Sequence, residues 1–126
     1  MNSHHRSNPF RLLVVDDDPL FAFLARSYLK KAGFSVHTVS SAIEALELLD
    51  QVSFDALLVD LCMPLIDGFR LIALIRSTQR LRGLPIIVVT QRRDEEASEE
   101  ALRLGVDAFL SKPVDWGVSA GDKVPH

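Results

Sequence analysis

The stretch Phe54-Asp55-Ala56-Leu57-Leu58-Val59-Asp60-Leu61-Cys62-Met63-Pro64-Leu65-Ile66-Asp67-Gly68 decides how the chain is read. Its apolar run, residues 56–59, has the length and branching of a strand buried on both faces. The run ends on a carboxylate, Asp60, and Pro64 followed by Asp67-Gly68 marks a turn beyond it. An acid therefore stands at the carboxyl end of a buried strand with a loop above it, which is where open α/β sheets bind ligands.

Working towards the amino terminus, residues 10–15 (Phe-Arg-Leu-Leu-Val-Val) form a second apolar run, and it too ends in acids, Asp16-Asp17-Asp18. Asp18-Pro19 opens a helix, because Asp accepts from free amides at an N-cap and Pro needs no donor at the first helical position. Leu20, Phe23, Leu24 and Leu29 lie near helical spacing up to Lys30-Lys31, whose charges suit a helix carboxyl end, and Gly33 stops the helix. Residues 34–39 read as a strand. Ser41 and Glu44 have the spacing of a capping box ahead of a helix whose apolar side is Ile43, Leu46 and Leu49, or Ala45 and Leu48.

Towards the carboxyl terminus, a helix over residues 68–77 turns Phe69, Leu71, Ile72 and Ile75 inward. Residues 85–90 are β-branched and end on the hydroxyl of Thr90. Residues 94–104 are acidic and weakly amphipathic through Ala97, Ala101 and Leu104. Residues 108–111 make a fifth short strand, followed by Lys112-Pro113. Strands alternating with helices give a parallel sheet with right-handed crossovers and helices on both faces. The expected fold is doubly wound and flavodoxin-like, with strand order 2-1-3-4-5.

The 126 residues, 48% apolar and 25% charged, suit one globular domain. A net charge of −3 provides no cationic footprint for nucleic acid, so direct DNA binding is not expected. The single cysteine, Cys62, excludes an internal disulfide and suits a reducing compartment. No apolar run reaches membrane-spanning length, and residues 1–9 are a polar arm without a signal-peptide core. The cytoplasm is the expected location.

In the expected strand order, four neighbouring strand ends carry Asp16-Asp17, Asp60, Thr90 and Lys112. Carboxylates gathered this closely repel one another and want a cation, and a hard, oxygen-ligated ion such as Mg²⁺ matches them. Lys112 supplies a compact positive charge suited to an acid or a phosphoryl oxygen. A carboxylate can also attack phosphorus to form an aspartyl phosphate, a transfer that depends on positioning and charge neutralisation.

Residues Val14-Val15-Asp16-Asp17, Leu58-Val59-Asp60 with Met63-Pro64 and Asp67-Gly68, Val88-Val89-Thr90, and Phe109-Leu110-Ser111-Lys112-Pro113 together resemble the response regulator receiver domain of two-component signalling. The resemblance spans residues 10–114 and implies specific roles. Asp60 would accept a phosphoryl group from a histidine kinase or phosphotransfer protein. Asp16, Asp17, Asp60 and the Cys62 backbone carbonyl would hold Mg²⁺. Thr90 would hydrogen-bond the phosphoryl group, Lys112 would pair with it, and Phe109 would be the aromatic switch residue. A cis Lys112-Pro113 bond and a downstream protein target complete what it implies. Asp67 and Gly68 are read as helix cap and turn.

Two departures stand out. Gln91 follows Thr90 where the family carries a small residue, and Cys62 and Arg92 occupy positions that in the family tune the lifetime of the aspartyl phosphate. The tail, residues 115–126, contains Gly117, Gly121 and Pro125, which disfavour the family's fifth helix. Its absence would uncover apolar surface, to be covered by Trp116 or by a second copy in a homodimer. Two other functions compete with the phosphoacceptor reading. One is a degenerate receiver acting by protein contact alone. The other is a haloacid-dehalogenase-type phosphatase, which Asp16-x-Asp18 superficially resembles but for which the required later acids are missing.

Overall fold

The computed structural model describes residues 9–117. Five parallel strands, β1 (Arg11–Val15), β2 (Ser35–Val39), β3 (Ala56–Val59), β4 (Ile86–Thr90) and β5 (Ala108–Ser111), form one sheet in the order 2-1-3-4-5. The crossovers are helices α1 (Pro19–Lys31), α2 (Ala42–Gln51), α3 (Gly68–Ser77) and α4 (Glu95–Arg103), with a short 3-10 turn at Gln79–Leu81. Phe10, Phe34 and Pro85, expected as first residues of strands, lie just before them. No helix among the described residues is long and apolar enough to cross a membrane.

Each helix starts on a side chain that satisfies a free amide. Asp18 accepts from Leu20 N–H (3.0 Å), Ser41 from Glu44 N–H (3.1 Å), Asp67 from Arg70 N–H (2.9 Å) and Asp94 from Ala97 N–H (3.0 Å). The Ser41/Glu44 box closes differently from its expectation. Glu44 accepts from Ser40 N–H (2.9 Å), one residue before the cap.

Alternation along the strands divides the core in two. Leu13, Val15, Leu57, Val59, Ile86 and Val88 face α2, α3 and Ala97 of α4, and Leu71, Ile72 and Ile75 of α3 are fully enclosed there. Val14, Leu58 and Val89 face α1 in a smaller cluster, closed by Phe21 and Ala25 and flanked by Val114 and Trp116. The expected inner face of α1 needs correction. Phe21 and Ala25 are its buried residues, Leu24 and Leu29 are half-buried, and Leu20 and Phe23 are each 65% exposed. The helix carries apolar residues on several sides, so spacing alone does not select the one that meets the sheet. In α2 the buried set is Ala42, Ala45 and Leu49, while Ile43 is exposed. After β5 the described residues form no helix. The Lys112-Pro113 peptide is cis, and Trp116 packs back on α1 with its ring 5.7 Å from Phe21 and stacked 5.9 Å from Tyr28.

One arginine fastens the amino-terminal side of the sheet. The Arg76 guanidinium donates to the carbonyls of Arg82 (2.9 Å), Leu84 (2.7 Å), Leu104 (3.3 Å) and Gly105 (2.7 Å), tying α3 to the loops that lead into β4 and β5. A planar fork reaches all four; a lysine cannot. Arg76→Lys should lower unfolding free energy in urea by about 2 kcal/mol, since charged hydrogen bonds contribute roughly 1.5–3 kcal/mol each and a lysine keeps some of them.

Candidate functional site

The carboxyl rim of the sheet is assembled by the ladder itself. Asp60 N–H donates to Val15 C=O (3.1 Å), Asp16 N–H to Val39 C=O (3.1 Å) and Lys112 N–H to Thr90 C=O (2.9 Å), so the residues just past three strand ends stay in register. Carboxylate oxygens of Asp16, Asp17 and Asp60 come within 4.8 Å of one another, Asp16 and Asp60 buried and Asp17 exposed. Lys112, also buried, sets its Nζ 2.7 Å from Asp16 Oδ2 and 3.1 Å from Asp60 Oδ2. Short turns fix the other oxygens: Asp18 N–H donates to Asp16 Oδ1 (2.9 Å) and Cys62 N–H to Asp60 Oδ1 (3.1 Å).

Burial pushes the Asp16 carboxyl above its ordinary range, outweighing the help of Lys112, and the Asp60 charge adds to the push. For Lys112, burial works to lower its pKa, but pairing with the Asp16 and Asp60 carboxylates outweighs it and holds the ammonium above its usual value. The two directions agree on an imbalance: one buried cation faces two buried acids with a third alongside. Asp16 Oδ2 is enclosed and, although near the ammonium, has no hydrogen bond of good alignment. A cluster of hard oxygens with spare negative charge and an under-satisfied oxygen fits a small divalent cation that needs few carboxylates and keeps its own waters.

The remaining expected residues lie around this cluster. Thr90 is buried at the end of β4, its hydroxyl accepting from Arg92 N–H (3.3 Å) and lying 4.0 Å from Cys62 Sγ. Cys62 is exposed. Phe109 of β5 is half-buried and packs against the larger core, on the face opposite α1. Asp67 caps α3 as expected.

Two residues at this site were not singled out by sequence. Gly68, read only as a turn, passes so close to the β3 end that a Cβ there would sit 2.3 Å from Asp60 O and 2.7 Å from Leu61 Cα. Phe21, passed over in the α1 pattern, lies with its ring centroid 4.4 Å from Lys112 Nζ. For Gly68 the signal was the glycine eight residues after the acid, but a turn glycine looks the same in sequence. For Phe21 there was no signal beyond its helical spacing to Ala25.

A 2-1-3-4-5 parallel sheet with acids and a lysine meeting at its carboxyl rim defines a doubly wound α/β domain built to handle a charged group there. The family model described as the response regulator receiver domain matches residues 12–118, and the chain belongs to that family, as a phosphoacceptor module of two-component signalling. It is 38% identical over 107 residues to the transcriptional regulatory protein GltR of Pseudomonas aeruginosa, covering 85% of this chain but only 44% of GltR. The crystal structure of a response regulator receiver protein from Pseudomonas putida superposes with a TM-score of 0.83 at 35% identity, over 90% of this chain and 93% of that one. The receiver domain of a sensor histidine kinase from Pseudomonas aeruginosa, solved with a magnesium ion coordinated in its active-site cleft, superposes with a TM-score of 0.79 at 28% identity, over 86% and 89% of the two chains.

Proposed function

We propose that Asp60 is the phosphoacceptor, receiving its phosphoryl group from a histidine kinase or phosphotransfer protein. The observation that carries this reading is the meeting of Asp16, Asp17 and Asp60 oxygens within 4.8 Å, with the Lys112 ammonium 3.1 Å from Asp60. A carboxylate oxygen of Asp60 bonds to phosphorus while the bond from phosphorus to the donor's imidazole nitrogen breaks, leaving its electron pair on nitrogen. Lys112 neutralises charge on the transferred group, and Thr90 offers its hydroxyl to a phosphoryl oxygen. Asp16, Asp17, Asp60 and the Cys62 backbone carbonyl would hold Mg²⁺, as the acidic cluster and the magnesium-bearing relative support. When bound, the ion supplies positive charge to the phosphoryl oxygens.

The consequence is a shift between two populations. Once Thr90 is drawn to the phosphoryl group, its hydroxyl leaves Arg92 N–H, space opens beside β5, and Phe109 turns inward, remodelling the surface around α4 that a downstream protein reads. The module switches contacts rather than turning over a substrate, and it works in the cytoplasm. Its organisation is a polar arm (1–9), the receiver proper (10–114) and a tail (115–126). Exposed Leu20 and the groove beside Tyr28 and Trp116 favour a homodimer across α1, which light scattering would register as a mass that doubles with concentration.

Incubation with acetyl phosphate and Mg²⁺ followed by intact mass and peptide mapping tests the acceptor. One phosphoryl group on Asp60, absent from Asp60→Asn and absent when EDTA removes the metal, is the expected outcome. A phosphoryl group that persists in Asp60→Asn overturns it. Because binding to the folded state alone stabilises that state, millimolar Mg²⁺ should also raise the melting temperature of the wild type and raise it less in Asp17→Asn.

A further inference from the structure

Lys112 is the one buried cation among the described residues, and two acids account for only part of its surroundings. An ammonium has three donors and no acceptor. Asp16 and Asp60 oxygens lie 2.7 and 3.1 Å from Nζ, and the face of Phe21 lies 4.4 Å away. Lys112 and Phe21 are each only 8% exposed, so the ring stands where water would otherwise solvate the charge, and an aromatic face attracts a desolvated cation.

The ring is itself held. Trp116 lies against it at a 40° tilt and stacks flat on Tyr28, about two helical turns further along α1. Beyond this stack the surface opens into a groove of about 330 Å³, lined by Phe21, Leu24, Tyr28, Gln91, Pro113 and Trp116 among others. Lys112 also borders that groove. A long, flexible side chain at such a border has two places to put its charge: on the carboxylates, or outward into the groove towards water. Phe21 makes the first arrangement the favoured one, since its face attracts the ammonium where it already lies beside the carboxylates.

We propose that Phe21, braced by Trp116, is a positioning residue for phosphoryl transfer: it holds Lys112 Nζ at the Asp60 oxygens, where charge on the incoming group must be neutralised. The proposal rests on Asp60 being the acceptor. Phe21 does not touch the reacting atoms, so its whole effect passes through Lys112.

That dependence sets the test. Rates of phosphorylation by acetyl phosphate at saturating Mg²⁺ are measured for the wild type, Phe21→Leu, Phe21→Tyr, Lys112→Met and the Phe21→Leu/Lys112→Met double variant. Phe21→Leu should be roughly tenfold slower, within the range that desolvated cation–π contacts provide. Its Mg²⁺ affinity should be unchanged. Phe21→Tyr keeps the ring and should keep close to the full rate. In the Lys112→Met background, Phe21→Leu should cost nothing further, as required of a residue acting through another. Proton NMR supplies a reading independent of turnover: the Lys112 ε-methylene protons should be shifted upfield by the ring in wild type and Phe21→Tyr, and relax to ordinary values in Phe21→Leu.

An equal loss in the Leu and Tyr variants, a Leu effect that survives intact without Lys112, or an unshifted Lys112 resonance in the wild type overturns the proposal. The two readings fail differently. Wild type that takes no phosphoryl group on Asp60 overturns the acceptor assignment and this role with it. Wild type phosphorylated on Asp60 with Phe21→Leu at full rate overturns the role of Phe21 alone.

Discussion

Gly68→Ala should lose both stability and phosphorylation, although it adds only one methyl group. The added Cβ would stand 2.3 Å from Asp60 O and 2.7 Å from Leu61 Cα, and both are backbone atoms that no rotamer change can move aside. To restore ordinary contact, the start of α3 or the end of β3 must retreat by roughly 1 Å. Gly68 N–H donates to Leu61 C=O (3.1 Å), so a retreat also stretches the bond that joins the two segments. The expected loss in urea unfolding is about 3 kcal/mol, in the range of severe single substitutions. Because the displaced backbone is that of Asp60, the folded fraction should also be phosphorylated about 100-fold more slowly, the size of effect that a misplacement of this order produces. Gly83→Ala is the matched control. A Cβ there meets nothing within 4 Å, so that variant should stay within about 1 kcal/mol of wild type and react normally. Equal stability for the two alanine variants would show that the close approach does not constrain the rim.

That contrast also shows what kind of information the sequence held. The buried strands announced themselves by composition, and the acids and the lysine by their position just past strand ends. Once the strand order is 2-1-3-4-5, Asp16, Asp17, Asp60 and Lys112 have nowhere to go but one rim. Helix starts were legible for a similar reason, since Asp18, Ser41, Asp67 and Asp94 act on amides two or three residues away. What was hidden depends on distances between elements. Gly68 and Gly83 are both turn glycines in sequence, and only the packing of α3 against β3 separates them. Phe21 and Phe23 are both aromatic residues in the first turns of one helix, yet one closes the core beneath Lys112 and the other is exposed, because the sheet's position and not the helix's own pattern chooses the face. Arg76 was invisible altogether: apart from an ion pair with Asp107, its partners are backbone carbonyls, which every residue possesses.

Removing the lysine, in contrast, should expose the electrostatic strain that the rim carries. In Lys112→Met a side chain of similar length remains, but the two buried acids lose their common counter-charge. Breaking a buried pair by deleting one partner leaves an uncompensated charge and costs about 3–5 kcal/mol. The pH dependence follows from Asp16, whose carboxyl burial already raises and which Lys112 helps to hold down. Without Lys112 it rises further. A carboxyl with a folded-state pKa above its unfolded value binds its proton more tightly when folded, so it favours folding below the unfolded pKa, and that contribution is lost as pH rises through the folded one. The deficit of Lys112→Met against wild type should therefore be smallest below the ordinary carboxylate range and grow as pH climbs through the raised value. Two repairs should work at neutral pH. Mg²⁺ should recover part of the loss by supplying the missing positive charge, and Asp60→Asn combined with Lys112→Met should be less destabilised than Lys112→Met alone, since one of the repelling acids is then neutral. Phosphorylation should not recover with Mg²⁺, because the ion does not replace the ammonium at the transferred group. A fall of about 100- to 1000-fold is expected, the scale found when one preorganised donor to developing charge is deleted. Melting temperatures across pH, with and without Mg²⁺, alongside acetyl phosphate kinetics, separate the two contributions. A Lys112→Met deficit that is flat across pH would mean that the lysine stabilises the rim by packing and not by charge.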